Sequence, residues 1–190
     1  IKEQLIRSVA LFFIYIWCQY SDEDMKKIWI IVLGLILSSC IKEKQTGADL
    51  KVGDRLPDFE VLMNDGSFIS DDILVEGVSV VMFFHTSCPD CQEALPRMQQ
   101  IYDEYASEGV LFALVSREES VVDIEDYFGK KGLEMPYSAQ TDRNIYEKFA
   151  QSRIPRIYIC EKGGIIRYIF TDDPVPSYDQ LKSSLDAVIR

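Results

Sequence analysis

Histidine is nearly absent from this chain: His85 stands alone among 190 residues. Cysteine is scarce too, with five in all and one close pair, Cys88 and Cys91. A structural zinc site normally takes four Cys or His ligands. With no second C-x-x-C and one histidine, the pair has too few partners to be half of such a site. Nor are there enough cysteines for a fold stapled by disulfides. Positive charge is in deficit, with 20 Lys and Arg against 31 Asp and Glu and a formal charge of −11. That balance argues against nucleic acid as a partner. No internal repeat or low-complexity tract is evident, and the apolar run Ile28 to Leu37 is too short to span a bilayer comfortably.

That run has another reading. Met25-Lys26-Lys27 precedes it and Leu37-Ser38-Ser39-Cys40 closes it, which is a signal peptide's basic start, short apolar stretch and small-residue end. Leu37 to Cys40 resembles the lipobox of bacterial lipoproteins, so a mature chain lipidated at Cys40 is expected, with 25–39 removed. A plain N-terminal anchor, or a secretory signal that happens to end in Cys, is the alternative. Residues 1–24 begin at Ile1 and carry a second apolar run, Val9 to Trp17, with Cys18 beside it. They read as an upstream extension from a start placed too early, or else as a genuine membrane segment.

The remainder, about 150 residues, suits one domain with a sizeable core. It holds all of the net charge, because residues 1–39 carry four basic groups (Lys2, Arg7, Lys26, Lys27) and four acidic ones (Glu3, Asp22, Glu23, Asp24). Residues 40–51 are largely polar and read as a tether, and 52–190 as the folded domain. Phe59 to Leu62 and Ser67 to Ile69 flank Asn64-Asp65-Gly66, a hairpin signal. Val78 to Phe84 is unbroken and apolar, as a strand covered on both faces should be. Helical spacing follows from Pro89 to about Ser107, with Pro96 inside it and Gly109 after it. Val110 to Val115 is the next strand. Helices are expected over Glu118–Lys131 and Asp142–Phe149. Ile157–Cys160 and Ile165–Ile169 are strands joined through Gly163-Gly164, and Tyr178–Ile189 is a closing helix. Alternating elements followed by an antiparallel pair imply an α/β fold with a mixed central β-sheet flanked by helices.

Cys88-Pro89-Asp90-Cys91 therefore sits where a buried strand hands over to a helix. Unpaired N–H groups and the helix dipole at that point stabilise a thiolate on Cys88. Asp90 stabilises the helix start but opposes a nearby thiolate, so only a moderate effect on Cys88 is expected. Cys91 lies one turn later on the same face. The spacing points to redox chemistry: Cys88 attacks, and Cys91 resolves the mixed disulfide. His85, as an imidazolium near Cys88, would favour its thiolate; hydrogen bonding to backbone at a strand end is an equal alternative. Glu93 is the best carboxylate for proton transfer with Cys91, unless it is merely solvated. Cys160, in an apolar strand, reads as core, and Arg156 as a solvated surface charge.

Three stretches carry a family resemblance over roughly 52–190. They are Phe83 to Cys91 with Pro96 downstream, Ile154-Pro155 just before a strand, and the opening Val52-Gly53-Asp54-Arg55-Leu56-Pro57-Asp58-Phe59. Together they resemble the TlpA/ResA family of membrane-anchored periplasmic thiol–disulfide oxidoreductases, within the AhpC/TSA-redoxin superfamily. The resemblance implies a thioredoxin fold with an N-terminal β-hairpin and a central insertion. It implies Cys88, Cys91 and a cis-proline at Pro155 as the catalytic set, protein disulfides or dithiols as substrates, an upstream membrane reductant, no cofactor and no metal. Membrane attachment would run through the lipid at Cys40, with the domain facing the periplasm or the cell surface. Where the family carries a buried Asp six residues before the first Cys, this chain has Met82; where many members have Glu three residues after the second, it has Ala94. Two other functions share the fold. A peroxidase of peroxiredoxin type uses P-x-x-x-T-x-x-C, but Val81 and His85 occupy the Pro and Thr places. A Sco-like copper-delivery protein uses C-x-x-x-C and a distant histidine, neither of which is found here.

Overall fold

The computed structural model describes residues 49–190. The expected upstream extension 1–24, the expected signal peptide 25–39, Cys40 and most of the stretch read as a tether lie outside the described residues.

Strands β1 (Glu60–Leu62) and β2 (Phe68–Ser70) form an antiparallel hairpin with Val61 opposite Ile69. Its turn is closed by the Asp65 carboxylate, which accepts the Ser67 N–H at 2.9 Å, and by Gly66 in the left-handed region at φ 85°. A single helical turn, α1 (Asp71–Leu74), follows, capped by Ser70. Then come β3 (Ser79–Phe84), α2 (Pro89–Tyr105) with a 3₁₀ turn, Ala106–Glu108, β4 (Leu111–Ser116), α3 (Val121–Lys131), a 3₁₀ turn Tyr146–Lys148, β5 (Arg156–Cys160), β6 (Ile166–Phe170) and α4 (Tyr178–Ile189).

The main sheet has the order β4-β3-β5-β6. β3 is parallel to β4 and antiparallel to β5, and β5 is antiparallel to β6. The strand–helix–strand unit β3-α2-β4 supplies the parallel pair, which needs a crossover, and the Gly163-Gly164 turn supplies the antiparallel one. All six residues of β3 are buried, and burying a large apolar side chain is worth about 1.5–3 kcal/mol. Successive side chains of β3 point to opposite faces. Phe83 meets Tyr146, Phe149 and Tyr158, whereas Phe84 meets Phe128 of α3. On α2, Cys91, Leu95, Met98, Ile101 and Tyr105 form the buried stripe, and α2 packs against α4. Among the described residues no helix is long and apolar enough to cross a membrane.

Four local departures from the sequence expectation have physical causes. Helix α3 starts at Val121, not Glu118, because Ser120 caps it by accepting the Asp123 N–H, while Glu118 turns the chain at φ 59°. The expected helix over 142–149 shrinks to one 3₁₀ turn; the Asp142 side chain takes the Asn144 N–H and folds the start into a tight turn. Helix α1 is too short for a periodic signal. Asp49 and Leu50, expected in the tether, pack on the domain: Leu50 is buried and its N–H bonds the Phe149 carbonyl at 2.9 Å, while Asp49 pairs with Arg156.

Candidate active site

Cys88 is the N-cap of α2, with extended backbone at φ −80° and ψ 121°, and Pro89 takes the first helical position. The Cys88 N–H bonds the His85 carbonyl at 3.0 Å and its own carbonyl accepts the Gln92 N–H at 2.9 Å. Its half-buried thiol donates across the site to the Ile154 carbonyl at 3.6 Å. The Ile154–Pro155 peptide is cis, and Pro155 immediately precedes β5. Cys88 and Ile154, 66 residues apart in sequence, are thus brought together with the loop that carries Pro155.

Cys91 is fully buried. Burial is the main cause that pushes its thiol up, well above the ordinary range; the His85 backbone N–H and, more weakly, Arg117 act in the opposite direction. One cysteine is therefore reachable and the other is enclosed as a neutral thiol.

The turn His85-Thr86-Ser87 between β3 and α2 is clamped from both sides. Glu119, in the loop between β4 and α3, accepts the Thr86 N–H at 2.9 and 3.2 Å and the Thr86 hydroxyl as well. The Gln92 side chain donates to the Thr86 carbonyl at 2.8 Å. His85 Nδ1 receives the Ser87 N–H at 3.2 Å and lies 3.5 Å from the Glu119 carboxylate. The Glu119 side chain is only 2% exposed. The sequence reading missed both Glu119 and Thr86. Glu118-Glu119-Ser120 read there as the acidic start of a helix, and nothing local distinguishes the glutamate that turns inward.

Other expected site residues are placed differently. Glu93 is on the open flank of α2, its side chain 55% exposed and bound to Arg97 at 2.6 Å, so it does not face Cys91. Asp90 is half-buried in the first turn of α2. Arg156 is no surface charge: its side chain is 7% exposed, pairs with Asp49 at 3.0 Å and donates to the Ser152 carbonyl. Met82 and Ala94 are both buried and apolar. Cys160 lies in the core, and burial pushes its thiol up to about 12. Among the described residues no group of three or more His, Cys, Asp and Glu side chains converges as a bound metal would need.

A dithiol at the end of a central strand, one sulfur at a helix N-terminus and facing a proline loop, on a β4-β3-β5-β6 mixed sheet, is the architecture of a thioredoxin-fold protein. The AhpC/TSA family model matches residues 52–169, and the chain belongs to the AhpC/TSA family. Among curated proteins it is 25% identical over 120 residues to the thiol-disulfide oxidoreductase ResA of Bacillus subtilis, covering 63% of this chain and 66% of that protein. It is 23% identical over 144 residues to ResA of Oceanobacillus iheyensis, covering 74% and 75% respectively. For the Bacillus thuringiensis and Bacillus anthracis ResA proteins the match spans 66% of their length, just under two thirds. Among solved structures, a thioredoxin-family thiol:disulfide interchange protein from Chlorobium tepidum superposes with a TM-score of 0.63 at 21% identity, over 75% of this chain and all of that one. The thioredoxin domain of a thiol-disulfide oxidoreductase from Bacteroides vulgatus gives 0.61 at 17% identity, over 72% and 99%.

Proposed function

We propose that this protein is a thiol–disulfide oxidoreductase that reduces protein disulfides outside the cytoplasm through Cys88 and Cys91. The observation that carries the reading is the asymmetry of the pair: a half-buried Cys88 at the N-terminus of α2 and a buried Cys91 one turn later. The Cys88 thiolate attacks a substrate disulfide, forming a mixed disulfide and releasing one substrate thiol. The Cys91 sulfur then attacks Cys88, releasing the second thiol and leaving the Cys88–Cys91 disulfide. Pro155 and the Ile154 carbonyl line the approach to Cys88 and would position the substrate chain.

The reading extends to the N-terminal pattern. Residues 25–39 act as a lipoprotein signal, Cys40 carries the lipid, and residues after it join the anchor to the domain. A membrane-bound reductant would then return electrons to the disulfide. The lipobox pattern Leu37-Ser38-Ser39-Cys40 after a basic start and an apolar run supports the anchor.

The test is equilibration of the full chain with dithiothreitol or glutathione couples, followed by thiol trapping. The expected result is a single Cys88–Cys91 couple nearer to thioredoxin, about −270 mV, than to a strong oxidant at about −120 mV. Failure of the two sulfurs to form a disulfide would overturn the reading. So would rapid peroxide consumption without dithiol exchange, or tight stoichiometric copper binding in its place.

A further inference from the structure

Residues 151–153 of the loop that faces Cys88 are exposed. Arg153 among them stands in the left-handed region at φ 72°, which non-glycine residues disfavour. The next residue, Ile154, nevertheless holds its carbonyl 3.6 Å from the Cys88 sulfur. Side chains around the loop fix it there. The Tyr146 hydroxyl donates to the Arg153 carbonyl at 2.7 Å. Arg156, immediately after Pro155, donates back to the Ser152 carbonyl at 3.0 Å. Asp49 completes the set from 102 positions upstream of Gln151. One of its carboxylate oxygens accepts the Gln151 N–H at 2.8 Å, and the other meets the Arg156 guanidinium at 3.0 Å.

Asp49 therefore joins the two ends of the loop that presents Ile154 and Pro155. An ion pair that only tied the start of the domain down would need one of these contacts, not both. The Arg156 side chain is 7% exposed and its Nε has no hydrogen-bond partner. Among the described residues Asp49 is the one carboxylate paired with it. Removing the partner of an enclosed charge costs far more than losing an exposed pair, because the charge stays buried and uncompensated. The carboxylate is itself held in place. Its neighbour Leu50 is buried, and the Leu50 N–H and the Tyr158 hydroxyl both donate to the Phe149 carbonyl, at 2.9 and 3.1 Å. The AhpC/TSA match begins at residue 52, so this clamp comes from outside the matched region.

We propose that Asp49 is a positioning residue for peptide substrates. By holding Gln151 and Arg156 it sets the Ile154–Pro155 backbone along which a peptide disulfide lies while Cys88 attacks. The inference rests on the disulfide exchange proposed above. It also divides substrates into two classes. A disulfide flanked by peptide backbone uses the loop, whereas a small disulfide without peptide groups needs only the Cys88 sulfur. Asp49 thus acts on the selection of peptide disulfides and not on the sulfur chemistry. A shift of about 1 Å in a positioning element, far from the reacting atoms, can cost about 10²-fold in rate.

The test compares two disulfides on the reduced full-length chain: a peptide closed by one disulfide, and bis(hydroxyethyl) disulfide, which has no peptide group. Formation of the Cys88–Cys91 disulfide is followed by acid quenching and mass spectrometry, and the ratio of the two second-order rate constants is the readout. For Asp49→Ala the ratio of peptide to small disulfide should fall at least about tenfold. Asp49→Asn keeps an oxygen for the Gln151 N–H but loses the charge that meets Arg156, so its ratio should lie between those of the parent and Asp49→Ala. An unchanged ratio in Asp49→Ala overturns the proposal, whether both rates hold or both fall together, because the contacts would then serve the fold alone. Should Asp49→Ala fail to fold, Asp49→Asn decides by the same ratio: a fall of at least about threefold is expected, and no fall overturns the proposal. If the parent forms no Cys88–Cys91 disulfide with either compound, the exchange reading itself falls and takes this inference with it.

Discussion

The Glu119 carboxylate accepts the Thr86 N–H at 2.9 Å across 33 residues of sequence, in a site where both residues are buried. This contact ties the loop after β4 to the turn that presents Cys88. A hydrogen bond to a charged group contributes about 1.5–3 kcal/mol, and a buried carboxylate loses more when its donors go. Thr86→Val keeps the shape and the backbone donor but removes the hydroxyl. It should destabilise the protein by about 1.5–3 kcal/mol in urea titrations. A loss below about 0.5 kcal/mol would mean that the hydroxyl does not hold the carboxylate.

Glu93→Gln should be close to silent. The side chain is more than half exposed and its partner Arg97 lies four positions on along the same helix. Such pairs are worth about 0.3–0.5 kcal/mol. Disulfide reduction by the variant should stay within about twofold of the parent, since Glu93 does not face Cys91. A tenfold fall in rate would show that Glu93 swings inward during turnover.

What the sequence reveals and conceals here follows the range of the physics involved. β3 and the start of α2 are legible because unbroken hydrophobicity and a C-x-x-C after it are local signals. The Tyr178–Ile189 helix matches its expected bounds because a capping box, Ser177 with Gln180, marks its start. Glu119 is illegible because its burial depends on donors presented by Thr86, a contact that only the folded sheet creates. Arg156 reads as solvated for the same reason: its partner Asp49 is 107 positions away in a stretch that looks like tether. Glu93 errs in the other direction. Nearness in sequence suggested a role that helix geometry does not allow.

The two cysteines should give opposite phenotypes. Cys88→Ser removes the reachable sulfur and should lower insulin-type disulfide reduction by more than about 10²-fold. Cys91→Ser leaves the attacking thiol and removes the resolving one, so a mixed disulfide should accumulate and be visible on non-reducing gels. Accumulation in the Cys88→Ser protein instead would reverse the assignment of the two sulfurs.

Redox state and pH should be linked through Cys91. Burial raises its thiol in the folded, reduced protein, whereas in the unfolded chain the thiol ionises near its ordinary value, about 8.5. Below that pH both states hold the proton and Cys91 contributes no pH dependence. Above it the unfolded chain releases the proton while the folded chain retains it, so unfolding is favoured as pH rises. The limiting slope is about 1.4 kcal/mol per pH unit for one group. In the oxidised protein the Cys91 sulfur carries no proton, and this loss disappears. Cys160, also raised by burial, is a thiol in both forms and cancels in the comparison. Denaturant titrations of the reduced and oxidised proteins between pH 7 and 10 should therefore diverge above about pH 8.5, with the reduced form falling faster. Parallel curves would mean that Cys91 ionises as readily in the fold as outside it, and its enclosure beneath Cys88 would then have no energetic consequence.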